Sequence, residues 1–350
     1  MEVAYLIPRS ETSSFRLAGE EYVALMRRSV RVEVLEIESV AEGGAQVPPS
    51  ASLVFIHPFF YPFFTGRVAT ALRSVAEGYP VVAVDVADSD RISPQAVSTL
   101  NRFAKASVVP SFYSRMSYLR SGVSVPVYVW PHPVSSRLVE ARKCDREFRG
   151  PGVNMLFFVL HSGWRRGVDI VARALGLIER RGVEYTLLLR APEVPRELSK
   201  YRVRLISEWL SVECLKALYL SSDVVLVPSR GGGFERNALE ALALGVPALV
   251  PAVGPWVEYI PPKLFPYLAV AVEGFDTVLP NNPIHTGRGP RADARDLAEK
   301  ALNAPSIRRE VERERQWVLS RFGEDAVAQV IESSLIHMAS TVLDTWGWRR

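Results

Sequence analysis

The sequence predicts an α/β chain built as two doubly wound, Rossmann-like domains facing a central cleft. Short apolar runs alternate with longer helical stretches, the signature of βα units around parallel sheets. The pattern stops at a polar, Gly-Pro-Gly-containing segment and then starts again. A length of 350 residues suits two domains of ordinary size.

In the first half the strand expectations are EVAYLIP, RVEVLEIE, SLVFIH, PVVAVDV, ASVVP and VPVYVWP. Helical stretches lie between them at Leu17–Arg28, Arg67–Glu77 and Pro94–Phe103. Ser135–Asn154 reads as a linker. MLFFVL, EYTLLLR, RVRLIS, DVVLVPS, PALVPA and YLAVAV continue as a second sheet, and SRFGEDAVAQVIESSL reads as a final amphipathic helix. These readings place an N-terminal domain at 1–148 and a second domain at 149–322. A helical tail at 323–350 is expected to pack back toward the N-terminal domain. GRGPRA (Gly287–Ala292) follows no strand candidate and reads as a turn.

Apolar residues make up 48% and charged residues 23%, the balance of a chain with sizeable cores. No apolar run reaches the roughly 18 residues of a membrane span, and MEVAYLIPRS lacks a signal-peptide pattern, so a cytoplasmic setting is expected. The net charge of +4 is modest and no basic run is interleaved with aromatics, which argues against nucleic acid. Six lysines against thirty-six arginines is a bias expected of genome composition or of heat adaptation. Cys144 and Cys214 are far apart without CxxC spacing, so neither a disulfide framework nor zinc is expected. Five scattered histidines without HExxH give no metal site.

Ligands of doubly wound sheets sit beyond the carboxyl ends of the strands, which singles out the loops after MLFFVL and DVVLVPS. In PSRGGGFERNALEALALG, Gly231, Gly232 and Gly233 let backbone approach a ligand, and the following helix points its free N–H groups at the loop. Glu240 on that helix is suited to accept two hydrogen bonds from vicinal hydroxyls such as those of a ribose. In the other loop, Ser162 and Gly163 are small, and Arg165 and Arg166 stand at a helix start, an unfavourable place for cations unless an anion is bound there. Asp169 reads as a partner of the helix dipole.

These two segments carry a resemblance. PSRGGGFERNALEALALGVPALVPAVGPWVEYI resembles the donor region of GT-B fold retaining glycosyltransferases, particularly family 4, whose pattern is roughly P-S-x-x-E-G-F-x-x-x-x-L-E-A. Glu240 matches the second acid, which in the family grips the nucleotide ribose; the first acid falls on Gly232. HSGWRRGVD resembles the family's G-R-x-x-x-K-G-x-D loop, with Arg166 in place of the lysine and Arg165 beside it, both implied to hold the donor pyrophosphate. Softer matches are Glu258 in GPWVEYI and the VPSFYSRMSYLRSGVSVPVYVWPHPVSSRL segment, where Pro133 and Ser135 replace the family's Gly and Asp.

The resemblance implies metal-independent transfer from a nucleotide-diphosphate sugar, the co-substrate, to a glycan or lipid-linked hydroxyl, with retention and with no other cofactor. Gly232, Gly233, Phe234 and Glu235 are implied to face the donor sugar. Glu235 has two readings: it supplies the carboxylate absent at position 232, or it is an acid favoured by the helix dipole. His57, ending the SLVFIH strand, is read as orienting an acceptor or as structural. Asp85, Asp88 and Asp90 are read as acceptor contacts or caps for the helix near Pro94. FFYPFF (Phe59–Phe64) reads as core or as a lip for a lipid-linked acceptor, and the terminal TWGWRR as an interfacial anchor giving peripheral contact at the inner membrane face. An inactive nucleotide-binding homologue and a nucleotide-sugar epimerase remain as alternatives.

Overall fold

The structure is a computed structural model that describes residues 1–11, 13–160 and 162–346. The chain forms two compact units. The first comprises Met1–Pro133, Asn281–Thr286 and the C-terminal segment from Glu324; the second comprises Val134–Pro280 and Gly287–Gly323.

The first unit runs β1 (Glu2–Ile7), α1 (Ser14–Met26), β2 (Arg31–Glu36), α2 (Ile37–Ala41), β3 (Leu53–Ile56), α3 (Phe60–Phe63) and α4 (Gly66–Gly78). It continues β4 (Val81–Val84), α5 (Pro94–Phe103), β5 (Ala106–Val109), α6 (Phe112–Ser121) and β6 (Val127–Val129). Its six strands pair in parallel in the order β2-β1-β3-β4-β5-β6. Both faces of the inner strands are covered, so β1, β3, β4 and β5 read as continuous apolar runs, whereas the edge strand β2 keeps charged residues. Ala4, Leu6, Val54, Ile56 and Ala83 point into one core, and Val3, Tyr5, Leu53, Phe55 and Val82 into the other. Phe59, Phe60 and Phe63 of FFYPFF lie in the first of these cores, so the aromatic lip is corrected to core packing.

The second unit runs α7 (Ser136–Glu140), β7 (Val153–Phe158), α8 (Gly163–Arg166), α9 (Val168–Arg180), β8 (Tyr185–Arg190), β9 (Val203–Ile206), α10 (Val212–Leu220) and β10 (Val224–Leu226). Then come α11 (Arg236–Ala243), β11 (Ala248–Pro251), α12 (Phe265–Leu268), β12 (Ala269–Val270), β13 (Val272–Thr277), β14 (Arg288–Ala292), α13 (Ala294–Asn303) and α14 (Arg308–Phe322). The parallel sheet order is β12-β11-β10-β7-β8-β9. Beyond it β13 and β14 form an antiparallel hairpin, with Phe275 opposite Pro290. GRGPRA is therefore largely a strand; its proline is accommodated because a two-stranded hairpin offers an edge position.

The last helix, α15 (Glu324–Trp346), belongs to the first unit, where Val327, Ile331, Leu335 and Met338 join Tyr5, Tyr22 and Trp130. Gly347–Arg350 of TWGWRR, and the side chains of 343–346, lie outside the described residues. Among the described residues no helix is long and apolar enough to cross a membrane.

The segment 135–154 packs with the second unit: Leu138 and Phe148 enter its core, and Lys216 Nζ donates to the carbonyls of Val139 and Ala141 at 2.7 and 2.8 Å. That docking corrects the cysteine reading. Cys144 and Cys214, 70 residues apart in sequence, meet as a disulfide with their Cα atoms 5.1 Å apart. Pairing across so long a loop removes chain entropy from the unfolded state, about 2–4 kcal/mol. Thiol titration of the denatured, unreduced protein is expected to find no free cysteine. Cys144→Ser is expected to lower the denaturant midpoint of the second unit, and the midpoint is expected to be insensitive to reductant in that variant alone.

Candidate functional site

The second sheet reverses its strand order between β7 and β10: from β7 the chain moves to β8 and β9 on one side, from β10 to β11 and β12 on the other. The loops leaving these two strands thus flank the topological switch point, where open α/β sheets place ligands. They touch closely. Gly167, with φ +78°, faces the carbonyl of Pro228, and any Cβ there would strike that oxygen. The Arg230 amide donates to the Arg165 carbonyl at 2.7 Å, and Arg165 Nη1 donates to the Gly231 carbonyl at 3.1 Å. Ser162, at φ 53°, opens the short helix that carries Gly163, Trp164, Arg165 and Arg166.

Arg165 and Glu235 are both buried, and Arg166 nearly so. Arg166 Nη1 forms a close ion pair with Glu235 Oε2, and Arg165 Nη1 stands 4.0 Å from Glu235 Oε1. Glu235 is the N-cap residue of α11 yet makes no capping bond. Its carboxylate is committed to the arginines, so the reading of it as a helix-dipole acid gives way. A Cβ on Gly232 would lie only 2.6 Å from Glu235 Oε1. The Glu235 carboxylate therefore occupies the space into which a side chain at position 232 would project. Two polar atoms here are buried without a hydrogen bond, Arg166 Nε and Glu235 Oε1. Phe234 packs on Tyr259, whose hydroxyl donates to the Glu235 carbonyl at 2.9 Å.

The structure thus brings Arg165, Arg166, Gly231, Gly232 and Glu235 together. Glu240, on the second turn of α11, belongs to its own set of bonds: Oε2 accepts from Tyr219 Oη at 2.8 Å, and Oε1 lies 3.6 Å from Arg236 Nε. Burial, then the Glu240 charge, pushes the Tyr219 phenol well above its ordinary pKa. The phenol therefore stays a donor and holds the carboxylate in place.

Sequence reading missed Arg230. Its guanidinium, 1% exposed, donates from Nη1 and Nη2 to both oxygens of Asp169 at 2.8 Å, from Nε to Asp276 at 2.8 Å and from Nη1 to the Trp164 carbonyl at 2.8 Å. It also stacks 3.6 Å over the Trp164 ring, whose Nε1 donates to Thr277. Burial disfavours the charge, but the bonds to Asp169 and Asp276 outweigh it and raise the Arg230 pKa. Burial likewise opposes the charge on Asp169, and Arg230 overrides it to lower that pKa. Asp169 is therefore corrected from a helix-dipole partner to one jaw of a bidentate clamp. Its distance from Arg230 in sequence hid the pair.

In the first unit His57 is buried, with Nδ1 3.1 Å from Tyr5 Oη and rings of Tyr5, Phe15 and Tyr22 around it. Burial lowers its pKa to about 3. Asp85 accepts from the amides of Phe59, Phe60 and Val86, and burial raises its pKa to about 7. The helix near Pro94 is capped by Ser93, which accepts from the Ala96 amide at 3.1 Å, so the aspartate-cap reading is corrected.

Residues 154–271 match the family profile described as Glycosyl transferases group 1. The chain is 26% identical over 346 residues to an uncharacterised protein of Sulfolobus islandicus rod-shaped virus 1, covering 93% of this chain and 95% of that protein. It is 29% identical over 183 residues to a protein of Sulfolobus islandicus filamentous virus whose name proposes a glycosyltransferase, covering 51% and 50% of the two chains. Among solved structures, sucrose-phosphate synthase from Thermosynechococcus elongatus superposes with a TM-score of 0.69 at 15% identity, over 97% of this chain and 99% of that one. The architecture is that of GT-B glycosyltransferases, and together with the profile match it supports glycosyl transfer.

His57 gives a pH test. Its folded pKa lies below the ordinary 6.5, so its contribution is complete above about pH 6.5 and is lost as pH falls toward 3. His57 adds a slope of at most about 1.4 kcal/mol per pH unit on this limb. Asp85, whose folded pKa is raised to about 7, acts in the opposite sense, so the test is the difference in urea stability between variant and wild type. His57→Gln is expected to remove up to one proton from the slope.

Proposed function

We propose that the chain is a retaining glycosyltransferase of the family 4 type, moving a sugar from a nucleotide-diphosphate donor to a hydroxyl acceptor without a metal. The observation that carries this reading is the pairing of orphaned atoms at the switch point. Arg166 Nε is a buried donor without an acceptor, and Glu235 Oε1 is a buried acceptor without a donor. Buried polar groups are rarely left so, and each such group asks for a partner. A nucleotide sugar offers both complements: phosphate oxygens for the guanidinium and sugar hydroxyls for the carboxylate.

In this reading Arg165 and Arg166 bind the diphosphate and stabilise the charge that accumulates on it as the glycosidic bond breaks, a role that needs no metal. Glu235, seated over Gly232, takes the place of the acid missing from the 232 position and holds the donor sugar, with Gly233 and Phe234 shaping that wall. Glu240, fixed by Tyr219, holds the ribose. Ser162 and Gly163 keep the phosphate loop slim. The departing phosphate oxygen receives the proton of the incoming hydroxyl. His57, neutral and enclosed by aromatic rings, is read as a packing group of the acceptor-binding unit. The acceptor is a glycan or lipid-linked hydroxyl. The disulfide and the arginine bias together support a heat-adapted intracellular protein, a class in which internal disulfides persist.

A thermal-shift screen against UDP-, GDP-, ADP- and dTDP-sugars tests the donor site. One class is expected to add about 2.7 kcal/mol at a hundred times its dissociation constant. Arg166→Ala and Glu240→Ala are expected to blunt that response. Glu235→Gln is expected to retain nucleotide binding and lose transfer by about a hundredfold, the scale of one electrostatic contact. Silence of the wild type toward every nucleotide overturns the assignment, and acceptor-free turnover of the donor points to an epimerase.

A further inference from the structure

Trp164 is an exposed aromatic residue held as firmly as a core one. It is 46% exposed, yet its contacts fix it. The Arg230 guanidinium stacks on one face, 3.6 Å from the ring centre, and the indole Nε1 donates to the Thr277 carbonyl at 2.9 Å. The Trp164 carbonyl accepts from Arg230 Nη1 at 2.8 Å, which pins the backbone as well. Among the described residues Arg230 is the one group stacked on the indole. An exposed side chain ordinarily keeps its rotamer freedom and loses it on binding; this ring is ordered beforehand.

Asp169 stands at the rim of this ring, because it is bonded to the same guanidinium. Both its oxygens accept from Arg230 at 2.8 Å, but its side chain stays 38% exposed. A carboxylate offers about four acceptor positions, of which Arg230 takes two and the Asp169 amide one. The exposed edge keeps room for a hydroxyl. Chain handedness sets which way this surface looks. From β7 the chain steps to β8 in one direction and from β10 to β11 in the other, so right-handed crossovers put α9 and α11 on opposite faces of the sheet. They pack accordingly, α9 with α13 and α11 with α14. Trp164 and Asp169 belong to the α9 side and Glu240 to the α11 side.

We propose that Trp164 is the platform for a saccharide acceptor: one sugar ring lays its C–H face on the open face of the indole, and a hydroxyl of that ring donates to Asp169. This rests on the donor reading above. With the ribose at Glu240 and the diphosphate at Arg165 and Arg166, the nucleotide base belongs to the α11 side and the sugar end of the donor points toward the α9 side. Trp164 adjoins Arg165 and Arg166 within α8, so a ring seated on it stands beside the sugar to be transferred. A flat apolar face edged by a charged acceptor suits a ligand with an apolar face and a polar rim. It does not suit an acyl chain, which would strip water from the Asp169 carboxylate and return no hydrogen bond. The acceptor group is thereby a sugar hydroxyl and not a bare lipid alcohol.

The full chain is to be labelled with fluorotryptophan and followed by fluorine NMR, the Trp164 signal being identified by its loss in Trp164→Phe. The titrants are methyl glycosides of glucose, galactose, mannose and N-acetylglucosamine, with n-hexanol as the apolar alcohol, each with and without UDP, GDP, ADP or dTDP. A saturable shift of the Trp164 signal with at least one glycoside, and none with hexanol, is expected. In transfer assays with that glycoside, Trp164→Leu is expected to raise the acceptor KM about tenfold, and Trp164→Tyr to restore most of it. The thermal response of Trp164→Leu to the donor nucleotide is expected to match the wild type, because Asp169 and Asp276 still hold Arg230. A Trp164 signal that no glycoside moves overturns the proposal, as does one that hexanol moves equally. Loss of the donor response in Trp164→Leu also overturns it, since the ring is then only a support for Arg230. Failure of the donor reading shows separately: the wild type then ignores every nucleotide, whatever the glycosides do to Trp164.

Discussion

The guanidinium of Arg230 is the point on which the candidate site depends. It projects from the β10–α11 loop into the β7–α9 loop and meets a carboxylate at the start of α9, a carboxylate on the β13–β14 hairpin, a backbone carbonyl and an indole face. A charge so deeply buried is tolerable only because each of the three guanidinium nitrogens donates to a carboxylate, Nη1 and Nη2 to Asp169 and Nε to Asp276. Removing one jaw of such a clamp typically costs about 3–5 kcal/mol, since it strands the remaining charge. The clamp therefore sets the loop conformation more firmly than the glycines beside it, which permit the shape without enforcing it. The hairpin is held by the same clamp: Gly289 packs against the Arg230 carbonyl so closely that no side chain fits.

With the loops fixed, the remaining cations have little freedom. Arg165 is spent partly on the Gly231 carbonyl, and Arg166 is turned toward Glu235. This is preorganisation in the electrostatic sense: charge is aimed before a ligand arrives, and binding need not order it. In the proposed reading the acid absent at Gly232 is relocated rather than lost. The carboxylate approaches the same space from three residues further along the chain, and the glycine makes room for it.

Parallel strands buried on both faces announce themselves as short apolar runs. The half-exposed edge strands β2 and β9 showed instead as runs mixed with charged residues, but the inner strands of the two six-stranded sheets were legible in the apolar form. So were the two loops, because the glycine run and the arginine pair follow strands directly. What stayed hidden depended on partners distant in sequence or on elements with unusual patterning. Arg230 looked like a loop residue because Asp169 and Asp276 are 61 and 46 residues away. The β13–β14 hairpin was masked by Pro290, and α6 by serines where core residues are expected. Cys144 and Cys214 were judged by spacing alone, whereas the docking of the segment around α7 against α10 decides their pairing. Glu235 was visible as an acid, but only the fold shows which way its carboxylate turns.

Hydrogen exchange at the amides of Arg166, Gly167 and Arg230 in the Arg230→Lys variant reads the clamp directly, because lysine keeps the charge and loses the fork. These amides bond to Ser162, Trp164 and Arg165 carbonyls within and between the two loops. The account expects their exchange to quicken by about tenfold or more while the amides of β7 and β10 keep their protection, the mark of local opening. Exchange at the loop amides equal to that of the wild type would contradict it.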